Sequence, residues 1–339
     1  MVANGSSAPT PPVQEPTEEF NARLSAIFDK WERNEIPAKD ALAQIEAMSQ
    51  EAQADGHAAN QGRAELLMGV LQGYRANLDA SIRHFERARA LFEQAGNRPR
   101  AIGCILNLGE SYRLQGNFTR ARQLFRAASD AAREVDDPES ESIALCNEGQ
   151  MLVSMDQPES ARASLLRAHD VASRITTTDS REELLCEIDY AMTIALIKLK
   201  DLPGAWKSAL ASREMALRYA DQPLLTGLAS RAMGEVVTAL GTLPADADPA
   251  LSSEPDTWFH ASTEAFQSIK ADGEVARTMY AHALSLSARG QGMQAARKLQ
   301  QAMIIFTRLG MADDAAKAAQ AQMKVLTTAR ATPPSSKPT

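Results

Sequence analysis

Aromatic residues make up only 5% of this 339-residue chain, and cysteine occurs three times. Cys104, Cys146 and Cys186 are too few and too far apart for a disulfide framework or a close-spaced metal motif, so buried thiols in a reducing compartment are expected. No apolar run approaches the ~18 residues needed to cross a bilayer, so no membrane partner is expected. The five histidines (His57, His84, His169, His260, His282) are scattered, with no H-x-x-x-H or H-E-x-x-H spacing. Phosphate-binding glycine loops, a G-x-S-x-G elbow and carboxylates gathered around a histidine are also missing. These absences predict no enzyme, no metal and no cofactor. The first ten residues have neither a basic region nor an apolar stretch, which reads as a cytoplasmic protein without a signal peptide.

Charge is present but uneven. The net charge is −7, which argues against nucleic acid as a partner. Residues 1–62 carry 10 acids and 4 bases, residues 81–133 carry 10 Arg and 4 acids, and residues 134–160 hold 8 acids and no base. Arg83, Arg87, Arg120, Arg122, Arg126 and Arg133 read as a solvated face, or as a dock for an acidic partner or for another copy's 134–160 segment. Self-association is thereby left open.

The dominant signal is a period. Ile45, Phe85, Phe125 and Leu165 stand 40 residues apart, Gly69, Gly109 and Gly149 keep the same step, and so do Ala41, Ser81, Ala121 and Ala161. A fixed period of this length marks stacked supersecondary units, and the apolar spacing within each unit is helical. The helical pairs read as 17–33 with 37–55, 59–75 with 78–96, 98–115 with 118–136 and 138–155 with 158–175. Then follow 180–200 with 203–220, 223–241 with 257–271, 274–290 with 292–309, and a single closing helix at 312–329. Prolines recur near helix starts, where a missing amide is harmless. In the closing helix Ala312, Ala315, Ala316, Ala319, Met323 and Leu326 are expected to face inward. Residues 1–16 and 330–339 read as disordered tails. The 242–256 insertion, with three prolines and four acids, reads as a mobile loop with little packing. A mid-helix glycine costs about 1 kcal/mol against alanine, so Gly69, Gly109 and Gly149 predict close helix crossings.

The third pair carries a recognisable pattern: Ile105-x-x-Leu108-Gly109-x-x-Tyr112, Gly116-x-Phe118, then Ala121-x-x-x-Phe125-x-x-Ala128. It resembles the tetratricopeptide repeat in its longer variety of about 40 residues. The resemblance spans residues 17–329, strongest over 59–175 and broken by the insertion in the sixth pair. It implies an all-α fold, an α-α superhelix of about seven helical hairpins with a C-terminal capping helix. It also implies a concave groove lined by the first helix of each pair.

Carried onto this sequence, the family's groove positions are Asn107 and Glu110 in the third pair and Asn147 and Gln150 in the fourth. Arg113, Val153 and Ser154 lie one turn further on, and Leu66, Leu106 and Cys146 one turn before. The second pair departs from the pattern with Leu67 and Val70, beside Arg63 and Tyr74. The sixth has Ala232 and Glu235, beside Arg231. Asn107 and Asn147 suit the gripping of an extended backbone, since an amide both donates and accepts. The alternative is that each bonds a neighbouring repeat or water. The expected role is a non-enzymatic scaffold or adaptor binding another protein or a peptide. The alternative is a ligand- or peptide-sensing signalling module, similar to bacterial regulators built on such arrays, acting on a separate output protein.

Overall fold

The computed structural model describes residues 13–331 other than 34 and 76. Most of the two expected tails, residues 1–12 and 332–339, lies outside the described residues. Among the described residues there are fifteen helices and no strand. They are α1 (Glu18–Glu32), α2 (Ala38–Ala54), α3 (Ala58–Tyr74), α4 (Leu78–Gln94), α5 (Arg98–Leu114), α6 (Phe118–Glu134), α7 (Pro138–Ser154) and α8 (Pro158–Ala172). There follow α9 (Thr178–Lys198), α10 (Leu202–Arg218), α11 (Pro223–Leu240), α12 (Pro255–Ser268), α13 (Asp272–Ala288), α14 (Gly292–Arg308) and α15 (Ala312–Ala331). The chain divides inside α5 into two compact units, one ending at Ser111 and one beginning at Tyr112.

Helix ends follow local chemistry. The side chains of Thr17, Asn117, Asp137 and Asp201 accept from the backbone amide three residues on, satisfying a donor that the helix itself leaves open. Proline opens α7, α8, α11 and α12. Several of the tight turns contain one left-handed residue: Gly56 in the first unit, Gly116, Asp136, Asp156 and Lys200 in the second.

In the first unit Phe20, Leu24, Ile45, Met48, Leu67, Met68 and Leu71 form one core from α1 to α3. The α3–α4 hairpin closes where a Cβ on Gly69 would lie 2.6 Å from the Phe85 ring, as the period predicted for the mid-helix glycines. Residues 13–17 run extended over the starts of α3 and α5, with Pro16 buried.

The second unit stacks the hairpins α7–α8, α9–α10, α11–α12 and α13–α14, then α15. Their first helices pack side by side, α7 on α9, α9 on α11, α11 on α13 and α13 on α15, making one layer. Second helices reach in with large side chains: Leu165 against Gly149, Phe266 against Gly227 and Phe259 against Gly234. The last helices return to the start of this unit, where Leu114 joins their apolar cluster and Lys317 Nζ lies 5.8 Å from the Phe118 ring centroid.

Two expectations change here. The 242–256 insertion is packed: Leu251 is 7% exposed, Leu243 lies on the α9–α11 core, and Trp258 donates its indole N–H to the Ser252 carbonyl. In α15 Ala315 and Leu326 face the core as expected, with Ala318, Gln322 and Val325, while Ala312 and Ala316 are exposed and Met323 is 71% exposed. The reason is register. Met323 stands where Gly149 and Gly234 stand in their helices, facing the place of a second helix, and none packs there among the described residues.

Candidate inner-face site

The groove positions expected from the sequence fall in both units. In the first, Arg63 is half-buried on α3, and no hydrogen bond or ion pair engages it among the described residues. Burial and the neighbouring Arg100 charge lower its pKa. Tyr74, 61% exposed at the end of α3, has its ring 5.5 Å from Trp31, which lies 5.1 Å from Phe28. Asn107 donates its amide to the Gly103 carbonyl at 3.0 Å, one turn back in its own helix. Glu110 lies half-buried one turn on.

In the second unit, Arg113, Asn147, Gln150 and Ser154 are all half-buried. Asn147 makes no side-chain hydrogen bond among the described residues, and Gln150 has a long one, 3.4 Å, to the Cys146 sulfur. These two amides are little committed inside the protein.

Arg231 is placed otherwise than its groove assignment implies. It is 2% exposed, turned into the α11–α13 seam. Its guanidinium meets the Glu274 carboxylate at 2.7 Å and donates to the Glu274 carbonyl at 3.3 Å and to Thr278 Oγ1 at 3.5 Å. Tyr190 and Phe266 flank it, their centroids 4.4 and 5.3 Å away. Despite the burial, which alone would raise it, the Glu274 pKa is held down at about 2 by Arg231 and Arg277. The group is a charged tie between repeats. Glu235, one turn on, lacks such a partner. Burial pushes its carboxyl up to about 7, against the pull of Arg231, Lys198 and a hydrogen bond from Tyr190. Asp189 on α9 is likewise raised to about 7 by burial.

Tyr190, Asp189, Glu274 and Arg277 were not singled out by the repeat pattern. Tyr190 continues the column Leu66, Leu106, Cys146, but the step from Cys146 is 44 rather than 40, because the α8–α9 connection is longer. Following the column through that slip leads from Cys146 to Tyr190 and on to Arg231.

Part of the arginine-rich stretch finds partners within the second unit. Arg122 and Arg126 converge on buried Glu148, at 2.9 and 3.0 Å. Arg133 and Arg174 converge on buried Glu141, at 2.9 and 2.8 Å. The chain's own acidic segment therefore neutralises much of this cationic face.

Among the described residues no group of three or more His, Cys, Asp or Glu side chains could hold a metal ion, and no helix is long and apolar enough to cross a membrane.

Comparison with known proteins agrees with the repeat reading. Residues 101–174 match the family model of the tetratricopeptide repeat. By fold, the chain is similar to the apo form of RapI, with a TM-score of 0.65 at 12% identity, covering 86% of this chain and 98% of that one. It is also similar to a Rap protein complexed with Competence and Sporulation Factor, with a TM-score of 0.57 at 15% identity, covering 91% of this chain and 85% of that one. A tetratricopeptide repeat protein from Parabacteroides merdae aligns at a TM-score of 0.48 and 10% identity over 87% of this chain and 99% of its own. No curated protein sequence matches. At these identities the structural likeness establishes the fold.

Proposed function

We propose that this chain, a helical repeat protein of tetratricopeptide type, is a non-catalytic interaction module that holds a segment of another protein on its inner face. One observation carries the reading. Arg231 and Glu274 are paired with one another inside the protein, while Asn147 and Gln150 on α7 stay half-buried and little committed. Amides in that setting suit a partner's backbone, whose donors and acceptors they match without demanding a side-chain sequence. The Rap protein of similar fold, solved with Competence and Sporulation Factor, favours a second reading within the same class. In it the inner face senses a soluble effector and changes the docking of a separate output protein.

Site-specific photo-cross-linking tests the first reading. A photoreactive residue at Gln150 is expected to capture a partner from the native host, and one at Arg162, exposed on α8, is not. With that partner purified, Asn147→Ala/Gln150→Ala should weaken binding about 30- to 150-fold, at roughly 1–1.5 kcal/mol per lost hydrogen bond, with melting unchanged. Capture from Arg162 alone would move the interface to the second helices.

A further inference from the structure

One extended segment is already bound in this protein, and it is the chain's own. Residues 13–17 cross the starts of α3 and α5 in the first unit. The Gln14 amide donates to the Ala95 carbonyl at 2.9 Å, and Asn97 Nδ2 donates to the Gln14 carbonyl at 3.3 Å. The Gln14 side-chain oxygen accepts from the Ala59 amide at 3.2 Å. Asn60 Oδ1 accepts from the Thr17 amide at 2.8 Å, and Glu15 pairs with Arg100 at 2.9 Å. Pro16 between them is buried, whereas Val13, Glu15 and Thr17 face solvent. This is recognition of a short extended peptide: backbone held by two asparagine amides, one side chain capping a helix start, one acid on an arginine.

The site has more cation than its occupant uses. Arg63 lies one turn along α3 from Asn60, close enough to Arg100 for their charges to repel, and no hydrogen bond or ion pair engages it among the described residues. Glu15 answers Arg100 alone. The ionic part of the hold is light, since the Arg100–Glu15 pair is solvent-exposed, 36% and 60%, and exposed pairs contribute little.

We propose that the groove across the starts of α3 and α5 is a binding site for an extended acidic segment of a partner protein, and that residues 13–17 are its resident, displaceable occupant. A partner segment carrying a second acid for Arg63 outcompetes the strap, because it satisfies both guanidiniums. The site is separate from the inner-face amides and does not depend on that reading.

The tethering sets the expected size of the effect. The strap runs directly into α1 at its N-cap Thr17, so as an intramolecular segment it is present at roughly millimolar effective concentration. If the same segment supplied in trans binds with a Kd of tens of micromolar, cis occupancy weakens trans binding roughly 10- to 100-fold.

The test uses the full-length protein and a fluorescein-labelled nonapeptide of residues 10–18, read by anisotropy. Full-length Gln14→Ala/Glu15→Arg should bind the peptide at least 10-fold more tightly than the wild-type chain. A peptide with Glu15→Ala should lose about 2- to 5-fold on that variant. Among peptides with a second Glu at position 12, 13 or 14, at least one should bind more tightly than the parent, and Arg63→Ala in the protein should remove that gain. Equal binding by variant and wild type, or none by a variant of unchanged helicity, overturns the proposal. So does loss of helicity in the variant, since a displaceable occupant leaves the fold intact. If no second acid improves binding, the acidic specificity is wrong.

Discussion

Gly69 and Glu235 show how single residues divide between building the array and charging its inner face. At Gly69 an added Cβ would lie 2.6 Å from Phe85, whose ring is 4% exposed and has nowhere to withdraw. Gly69→Ala should therefore cost about 1–3 kcal/mol in urea denaturation, although alanine is the better helix former. Phe85→Leu in the same chain should recover part of that loss, and a strictly additive double variant would show that the two do not touch. Glu235 has the opposite character. Burial raises its pKa from the ordinary 4.5 to about 7, so the folded protein holds that proton more tightly than the unfolded chain. Its contribution to stability is thus fully present below pH 4.5 and is lost as the pH rises through about 7. Glu235→Gln keeps a hydrogen-bond acceptor for Tyr190 and removes the titration. The variant should be more stable than wild type at pH 8 by about 1–2 kcal/mol, with Arg231 and Lys198 offsetting part of the gain. A pH-stability slope between 4.5 and 7 that is no shallower in the variant would assign the titration elsewhere, Asp189 being the first candidate.

At the scale of the element, periodicity carried most of the fold. The 40-residue step located mid-helix glycines and the large side chains that sit on them, as at Gly69 with Phe85 and Gly149 with Leu165, because such close crossings leave no room for a larger residue. Composition carried the insertion badly. Three prolines and four acids in 242–256 suggest a free loop, yet the two leucines among them do the anchoring. Leu251 is 7% exposed and Leu243 packs on the α9–α11 core. A pair of apolar residues in an irregular segment has no period, so nothing local distinguishes a packed leucine from a solvated one. Leu251→Ser should accordingly cost about 2 kcal/mol, and replacing 243–253 by a short Gly-Ser turn should lower the Tm. An unchanged Tm would return the loop to the mobile class. The inner-face site was legible only where the step held. Asn147 and Gln150 were found by it, Tyr190 was lost at the longer connection, and the burial of Arg231 depends on Glu274 in the next hairpin, 43 residues away. The strap of residues 13–17 gave no sequence signal, since its contacts are mostly backbone groups and asparagines at helix starts.

At the scale of the whole molecule, the cysteines offer a measure of how cooperatively each unit opens. Burial pushes the Cys104 and Cys186 thiols up to about 12 and Cys146 higher still, so none is a reactive thiolate in the folded chain. Labelling by a disulfide reagent therefore reports opening of the surroundings rather than surface chemistry. Repeat arrays unfold through nearest-neighbour interfaces, and cooperativity is strongest where one core runs through several repeats. Cys146 belongs to a core that runs from α7 to α11, and Cys186 joins the next, which shares Leu185 and Tyr190 with it. Cys104 packs with Phe92, Ala88 and Ala101 in the first unit. Without denaturant at pH 8, less than one thiol per chain should react within about an hour. In rising urea, with single-cysteine variants followed separately, Cys146 and Cys186 should become reactive at one common concentration and Cys104 at another. A shared midpoint for all three would mean that the division at Ser111 is geometric only. Separate midpoints for Cys146 and Cys186 would mean that the packing around Leu185 and Tyr190 does not bind their hairpins into one cooperative block.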